Sequence, residues 1–97
     1  MIIKNCAHAG TLESSDVYIQ INPIKKDIVE IELESSVKEL YGEMIEELII
    51  STLKEMNISK VHVQVQDKGA MDLVIKARLQ AAVLRACDST PNWKELS

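Results

Sequence analysis

The hydroxyl of Ser14 is the group in this chain best placed for covalent modification. It lies in the run Gly10-Thr11-Leu12-Glu13-Ser14-Ser15-Asp16, which leads into an alternating apolar and polar stretch from Val17. Turn-forming residues ahead of a strand pattern predict an exposed turn, where a modifying enzyme can reach a serine. Serine and aspartate are also ordinary turn residues whose side chains bond the local backbone. The residues alone therefore leave a purely structural role for Ser14 open.

Three segments together resemble a known family. They are the stretch from Ala9 to Asp16, the stretch Asp67-Lys68-Gly69-Ala70-Met71-Asp72, and the stretch Lys76-Ala77-Arg78-Leu79-Gln80-Ala81. From about Gly10 to about Arg85 the chain resembles the acyl carrier protein of citrate lyase, its gamma subunit. The resemblance implies that Ser14 carries a 2'-(5''-phosphoribosyl)-3'-dephospho-CoA through a phosphodiester. The terminal thiol of that group holds the acyl chain, so the resemblance implies a carrier subunit without catalytic residues of its own.

One position departs from the family pattern beside the attachment serine. The family reads Glu-Ser-Gly-Asp, whereas this chain reads Glu13-Ser14-Ser15-Asp16 and offers two adjacent hydroxyls. Ser14 keeps the offset from Gly10 that marks the attachment site, and Ser15 stands where the family has glycine. A positive φ costs glycine little and is uncommon for serine, so the difference bears on the turn itself.

The resemblance also implies partner proteins. The citrate lyase alpha subunit, an acyl transferase, exchanges acetyl for citryl on the carrier, and the beta subunit, a citryl lyase, cleaves citryl-carrier to oxaloacetate. A prosthetic-group transferase loads the serine. Because the substrate is tethered, it visits both active sites without dissociating. Two alternatives stay open: an acyl carrier of malonate decarboxylase, which uses the same kind of group, and a small adaptor domain that binds without covalent attachment.

Polar residues of the second and third segments are candidates for contacts with the attached group or with partners. Lys68, Asp72 and Arg78 are expected to be largely exposed near one helix start, and cationic side chains suit phosphate contacts. Solvation of an ordinary surface explains them equally well. Glu13 and Asp16 flank the attachment serine, and their charges are expected to repel a phosphodiester and hold the arm outward.

Composition excludes several classes of function. The net charge is −4 and the chain has three aromatic residues, one Trp and two Tyr, which argues against nucleic acid as a partner. No apolar run approaches the roughly 20 residues that span a bilayer, and the start of the chain lacks a signal-peptide pattern, so a cytoplasmic protein without a membrane partner is expected. Cys6 and Cys87 share no metal-ligand spacing with the histidines and are expected to be reduced thiols.

Hydrophobic periodicity indicates the elements. Val17 to Asn22, Val29 to Glu34 and Val61 to Gln66 alternate as half-buried strands, and a shorter strand is expected around Ala9 to Leu12. The short link of residues 22–27 predicts that the first two long strands are antiparallel neighbours.

Two helices complete the pattern. Ser36 and Glu39 predict a capping box at the start of a helix of about twenty residues that ends near Asn57. Its apolar stripe is expected to face the core and consists of Val37, Leu40, Tyr41, Met44, Ile45, Leu48, Ile49, Leu53 and Met56. A second core-facing helix is predicted after a turn at Gly69, and its apolar stripe begins at Met71. This turn is expected to need a residue as permissive as glycine for the chain to fold.

The expected architecture is α+β: a two-layer sandwich with a small, mostly antiparallel sheet and two amphipathic helices on one face, in the order (β)ββαβα. Residues 1–88 are predicted to form a single acyl-carrier domain and residues 89–97 a C-terminal tail. This differs from the helical-bundle carriers, whose Asp-Ser-Leu motif begins a helix. The lookalike Asp88-Ser89-Thr90 falls after the last predicted helix.

Overall fold

A computed structural model describes residues 1–87, so the predicted tail and the Asp88-Ser89-Thr90 lookalike lie outside the described residues. The elements in chain order are β1 Ala7–Gly10, β2 Val17–Asn22, β3 Val29–Ser35, α1 Lys38–Glu55, β4 Val61–Asp67 and α2 Asp72–Cys87. The predicted α+β class and the order βββαβα are confirmed.

The four strands form one sheet in the order β1-β2-β4-β3. Strand β2 is antiparallel to β1 and to β4, whereas β3 is parallel to β4. The prediction that β2 and β3 are neighbours is wrong, because β4 lies between them. The two central strands are the most deeply buried. The inward-facing apolar residues of β2 and β4 are at most 1% exposed, while Val29 and Ile31 of β3 are only partly buried.

Both helices pack on one face of the sheet, where the core is aliphatic. Ile19 and Ile21 of β2 and the valines of β4 form its floor, and the side chains above them are fully buried. The buried residues of the two helices are Gly42, Ile45, Ile49, Thr52 and Leu53 of α1, and Ile75, Leu79, Ala82, Val83 and Ala86 of α2. Small residues in α2 let the helix approach the sheet closely, and burying this much aliphatic surface provides the main stabilisation.

The opposite face of the sheet carries a polar network that crosses three strands. Asn22 of β2 donates to Gln64 of β4 at 3.3 Å, and its amide nitrogen lies 3.1 Å from Nδ1 of His62. Gln64 in turn donates to Glu32 of β3 at 3.1 Å, and Nε2 of His62 lies 3.4 Å from the same carboxylate. These bonds satisfy the half-exposed polar groups of this face, so His62 is one member of a structural network.

The start of α1 differs from the prediction. The predicted capping box of Ser36 and Glu39 is wrong, because the N-cap residue is Val37, without a side-chain cap. Strand β3 continues to Ser35, whose hydroxyl accepts a hydrogen bond from the Val37 N–H at 3.1 Å and donates one to the Asp67 carboxylate at 2.8 Å. The Val37 N–H at the helix start therefore finds its acceptor in Ser35, the last residue of β3 and the residue before the predicted cap.

The first turns of both helices are less buried than their apolar stripes predicted. Leu40, Tyr41 and Met44 are exposed by 78%, 50% and 58%, and Met71 is exposed by 76%. Gly42 and Ile45 are buried in the same part of α1, so the core covers one face of these turns. Leu40 lies nine residues before buried Ile49, which is half a turn around the helix, so it is on the opposite face. The C-terminal boundary is as predicted, since Asn57 takes a positive φ of 58° just after α1.

The two cysteines are not joined by a disulfide. Cys6 is exposed and Cys87 is half-buried, and burial raises the pKa of the Cys87 thiol. Within residues 1–87, no group of three or more metal-ligating side chains comes together. No helix in that part of the chain is long and apolar enough to cross a bilayer.

Two glycines with positive φ provide a stability prediction. A Cβ added at Gly10, whose φ is 91°, would lie 1.8 Å from the Val17 carbonyl oxygen, whereas one added at Gly69, whose φ is 88°, meets nothing within 4 Å. We expect Gly69→Ala to cost about 1 kcal/mol through backbone strain alone, and Gly10→Ala to cost about 3 kcal/mol or more because backbone must also move. Urea unfolding of both variants checks this; equal losses would contradict it. The positive φ of Gly69 agrees with the expected need for a permissive residue at this turn.

Candidate functional site

The Ser14 turn, the start of α1 and the start of α2 meet at one end of the sheet. Strand β4 ends at Asp67, which pairs with Val17 at the start of β2 and with Ser35 at the end of β3. Because β3 and β4 are parallel and β2 runs opposite to them, the segments that follow β3 and β4 and the segment that precedes β2 share that end. Sheet topology therefore positions the site.

Ser14 lies in a tight turn between Glu13 and Asp16. The Asp16 N–H donates to the Glu13 carbonyl at 3.1 Å, which places Ser14 and Ser15 at the two central positions. Ser15 has a φ of 67° and Ser14 does not have a positive φ, as in a type II turn, whose third residue is usually glycine. The structure thus gives a physical reason for glycine in the family pattern, and this chain places a serine in the same strained conformation.

Two backbone hydrogen bonds attach this turn to the segment that follows β4. The Ser15 N–H donates to the Lys68 carbonyl at 2.8 Å, and the Lys68 N–H donates to the Asp16 carbonyl at 2.9 Å. The turn is consequently held by its own backbone and by a second loop, which fixes the direction in which Ser14 projects.

Asp16 anchors the same turn through its side chain. Its carboxylate accepts hydrogen bonds from the Thr11 hydroxyl at 2.6 Å, from the Val17 N–H at 2.8 Å, and from Nε and Nη2 of Arg78 at 3.2 Å each. The Thr11 hydroxyl, the Val17 N–H and the Arg78 guanidinium, in that order, lower the pKa of Asp16 to about 2. Asp16 is therefore ionised and paired at neutral pH.

These contacts change two expectations. Arg78 was expected to be largely exposed, but it forms a two-point ion pair with Asp16, and its side chain is 43% exposed. The charge of Asp16 was expected to repel a phosphodiester, yet Arg78 compensates that charge and the Asp16 side chain is only 14% exposed. The physical reason is that α2 passes beside the turn, which no local pattern could show.

Asp67 is a structural member of the site that the sequence interpretation missed. It is 2% exposed, and its two carboxylate oxygens accept hydrogen bonds from the Ala70 N–H at 2.9 Å and the Ser35 hydroxyl at 2.8 Å. These bonds shape the loop that contacts the Ser14 turn. A signal existed, because Asp67 continues the inward-facing positions of Val61, Val63 and Val65, and a carboxylate at such a position needs hydrogen-bond donors.

The Ser14 side chain is exposed, and its hydroxyl makes no hydrogen bond to any described residue. Lys68, also exposed, is connected to the turn through its backbone, and Arg78 is connected through Asp16. Asp72 is exposed in the first turn of α2 and lines a groove with Tyr41 and Met44 of α1. An accessible hydroxyl on a rigid turn fits covalent attachment of a phosphodiester-linked group.

Comparisons with known proteins agree with this arrangement. The family model described as "ACP: Malonate decarboxylase delta subunit (MdcD)" matches residues 4–86. A citrate lyase acyl carrier protein of Vibrio cholerae serotype O1 is 44% identical over 100% of both chains. One of Haemophilus influenzae is 46% identical over 97% of both chains, and one of Escherichia fergusonii is 47% identical over 92% of this chain and 91% of the relative.

A solved structure shares the fold. A chain in the crystal structure of a Pseudomonas malonate decarboxylase hetero-tetramer in complex with malonate superposes with a TM-score of 0.72 and 16% sequence identity. The match covers 87% of this chain and 86% of that one. Fold and family model together define an acyl carrier protein of the α+β kind. With relatives this similar over their full length, the chain belongs to the citrate lyase acyl carrier protein family.

The anchored carboxylate predicts a pH dependence of stability. The pKa of Asp16 falls from 3.8 to about 2 on folding. As the pH decreases, Asp16 is therefore protonated in the unfolded chain before it is protonated in the folded one. The stabilisation from Asp16 is therefore complete above pH 4 and is lost as the pH falls toward 2. Free energies of unfolding measured from pH 7 to pH 2 should decline less steeply below pH 4 for Asp16→Asn than for the parent. Parallel curves would contradict the role of Asp16 as an anchor.

Proposed function

We propose that this protein is the acyl carrier subunit of a citrate lyase and that Ser14 is its attachment residue. The observation that carries the proposal is the exposed, unbonded Ser14 hydroxyl on a turn fixed by Lys68 and by the Asp16–Arg78 pair. The attached group is a 2'-(5''-phosphoribosyl)-3'-dephospho-CoA, joined through a phosphodiester. When bound, it supplies the terminal thiol that carries acetyl and citryl groups as thioesters.

The backbone supports Ser14 over Ser15 as the attachment residue. Ser15 occupies the positive-φ position that the family gives to glycine, and its N–H is bonded to the Lys68 carbonyl. A position that accepts glycine needs no side chain, so the function of the turn depends on the residue before it. Ser14 is that residue.

The protein contributes positioning, not chemistry. A rigid turn keeps the base of the arm at one place on the surface, and the tether raises the effective concentration of the acyl group at each partner active site. The partners are the alpha subunit, which transfers the acyl group, and the beta subunit, which cleaves citryl-carrier to oxaloacetate. A prosthetic-group transferase attaches the arm, and the complex works in the cytoplasm during cleavage of citrate to acetate and oxaloacetate.

The charged residues around the turn have different roles in this proposal. Lys68 is exposed and connected directly to the turn, so its ammonium group is the candidate contact for the phosphates of the arm. Asp72 is exposed at the start of α2 and is proposed to contact the transferase or a partner subunit. Arg78 holds Asp16, so it acts on the attachment residue through the turn.

An acyl carrier of malonate decarboxylase is the second candidate function. It is favoured by the description of the matching family model and by the fold shared with a chain of that complex. The full-length relatives named as citrate lyase carriers favour the first candidate. Assembly of the loaded chain with citrate lyase alpha and beta subunits separates the two: acetate and oxaloacetate formed from citrate support the first, and no cleavage of citrate contradicts it.

Replacement of each serine tests the attachment site. Ser14→Ala should abolish the mass increase that follows incubation with the prosthetic-group transferase and its nucleotide substrate, because the acceptor oxygen is gone. Ser15→Ala should be loaded like the parent, and Ser15→Gly should be loaded at least as fast because it removes the strained φ. Intact-mass spectrometry gives the result. Loading of Ser14→Ala with loss of loading in Ser15→Ala would move the site by one residue, and a parent that is never loaded would favour a non-covalent adaptor.

The charged residues can be separated by their effect on the turn. Lys68→Ala and Asp72→Ala should stay folded, with unfolding free energies within about 0.5 kcal/mol of the parent, yet slow loading or weaken complex assembly. Arg78→Ala should slow loading on the order of tenfold by releasing the turn. Asp16→Asn should slow it at least as much, because Asp16 also accepts hydrogen bonds from Thr11 and Val17, and the double variant should be no slower than Asp16→Asn alone. Additive losses in loading rate would show that Arg78 also contacts the arm directly.

A further inference from the structure

Exposed apolar side chains gather at the Ser14 end of the molecule. Eleven large hydrophobic side chains are exposed among the described residues, and six of them lie beside the Ser14 turn or around the starts of the two helices, in segments 12–16, 40–44 and 71–73. These six, here named the apolar edge, are Leu12, Leu40, Tyr41, Met44, Met71 and Leu73, exposed by 50–81%. A cluster of this kind on a surface marks an interaction site more often than a chance exposure.

Sheet topology accounts for the gathering. Helix α1 begins three residues after Ser35 and helix α2 begins five residues after Asp67, and these two residues pair with each other at the end of the parallel strands. A groove of about 240 Å³ runs between Tyr41 and Met44 on one side and Ala70 on the other. Ala70 lies two residues after Lys68, which is bonded to the Ser14 turn. The groove therefore leads from Tyr41 and Met44 to the loop that holds the Ser14 turn, and Leu73 lines a second groove with Arg78, which holds Asp16 of that turn.

We infer that the apolar edge docks on the acyl-handling subunit whose active site receives the arm, against an apolar recess rimmed by Lys and Arg. The inference rests on the proposed function. An arm fixed at Ser14 enters a partner's active site only if the surface around Ser14 lies against the entrance of that site. The expected occupant of the apolar edge is therefore a protein subunit whose surface has an apolar recess surrounded by Lys and Arg. Leu40, Met71 and Leu73 are each more than three-quarters exposed, so they protrude as anchors that fill a partner's pockets.

The charges around the apolar edge indicate which charges should surround the recess on the partner. Arg78 and Asp16 beside the apolar edge pair with each other. The other charged residues of the Ser14 turn and of the helix starts are mostly acidic: Glu13, Glu39, Glu43 and Asp72 against Lys38 and Lys68. The phosphates of the arm add further negative charge at Ser14. A basic rim on the partner would complement both, steer the encounter and disfavour wrong partners.

The chain offers a matched control for the test. Ile50 and Leu84 are exposed by 43% and 54% on the same two helices, roughly 15 Å along each helix from Leu40 and Leu73. The edge variant is Leu40→Gln with Leu73→Gln, and the control variant is Ile50→Gln with Leu84→Gln. All four side chains are exposed, so both variants should fold, which circular dichroism checks. Both are loaded with the prosthetic group, and intact mass confirms the loading before any binding is measured.

Binding of the loaded, full-length proteins to the isolated alpha and beta subunits is then measured by titration calorimetry. The edge variant should raise Kd by about tenfold or more for at least one subunit, with the control variant within about twofold of the parent. Binding by the parent should also weaken as salt increases. Equal Kd values for the edge and control variants overturn the docking surface, and salt-independent binding overturns the basic rim.

Other outcomes assign the edge to a different occupant and also overturn the inference. Loss of loading in the edge variant alone would mean that the transferase docks there. Chemical-shift changes at Leu40 and Leu73 on loading the isolated carrier would mean that the arm itself covers the edge, and an edge-dependent dimer in sedimentation would mean a second copy. A parent that is never loaded refutes the proposed function instead, so the two failures are distinguishable.

Discussion

The pair of backbone hydrogen bonds between the Ser14 turn and Lys68 is the constraint on which the site depends. The turn precedes β2, and Lys68 follows β4, so the bonds extend the antiparallel pairing of these strands by one step beyond Val17 and Asp67. Asp67 holds the second loop from inside the core, and Asp16 holds the turn from outside it. A displacement of either loop would move Ser14 relative to the helices that begin beside it. The precision of the site thus comes from the end of the sheet.

Local pattern was sufficient for the elements and insufficient for their arrangement. Alternation identified the three longer strands, and apolar residues at helical spacing identified both helices, because these periods follow from the backbone geometry of each element. The pairing of β4 with both β2 and β3 joins segments that lie far apart in the chain, and no local pattern records such a pairing. The short link after Asn22 led to the wrong prediction that β2 and β3 are neighbours. The length of a link limits how far apart two strands can lie, but it does not determine which strands pair.

For the candidate site too, the sequence indicated some features, and others depend on contacts that only the folded chain makes. The residues around Ser14 predicted an exposed turn, and only the resemblance to a known family singled out its hydroxyl. The difference at Ser15 pointed to a backbone constraint, and Ser15 has a φ of 67°. The Asp16–Arg78 pair joins residues 62 positions apart, and the bond from Ser35 to Asp67 joins residues 32 apart. Contacts at such separations leave no periodic trace in one sequence. Exposed Leu40 and Met71 were assigned to the core for a related reason. The apolar positions of α1 spread around more of the helix than its buried face, and Met71 lies before the first residue of α2, so spacing alone did not show which residues are covered.

The bonds between the Ser14 turn and Lys68 make the shape of the turn depend on distant parts of the chain. Closing a long loop between two such parts loses conformational entropy, so contacts of this kind need the support of the surrounding fold. The turn receives these bonds where β2 lies against β4, and β3 and α1 separate these two strands in the chain. A nascent or partly unfolded chain carries the serine and lacks the turn's fixed shape. If Ser14 is loaded as proposed, a transferase that recognises the shape of the turn would act on folded chains and leave unfolded ones unmodified.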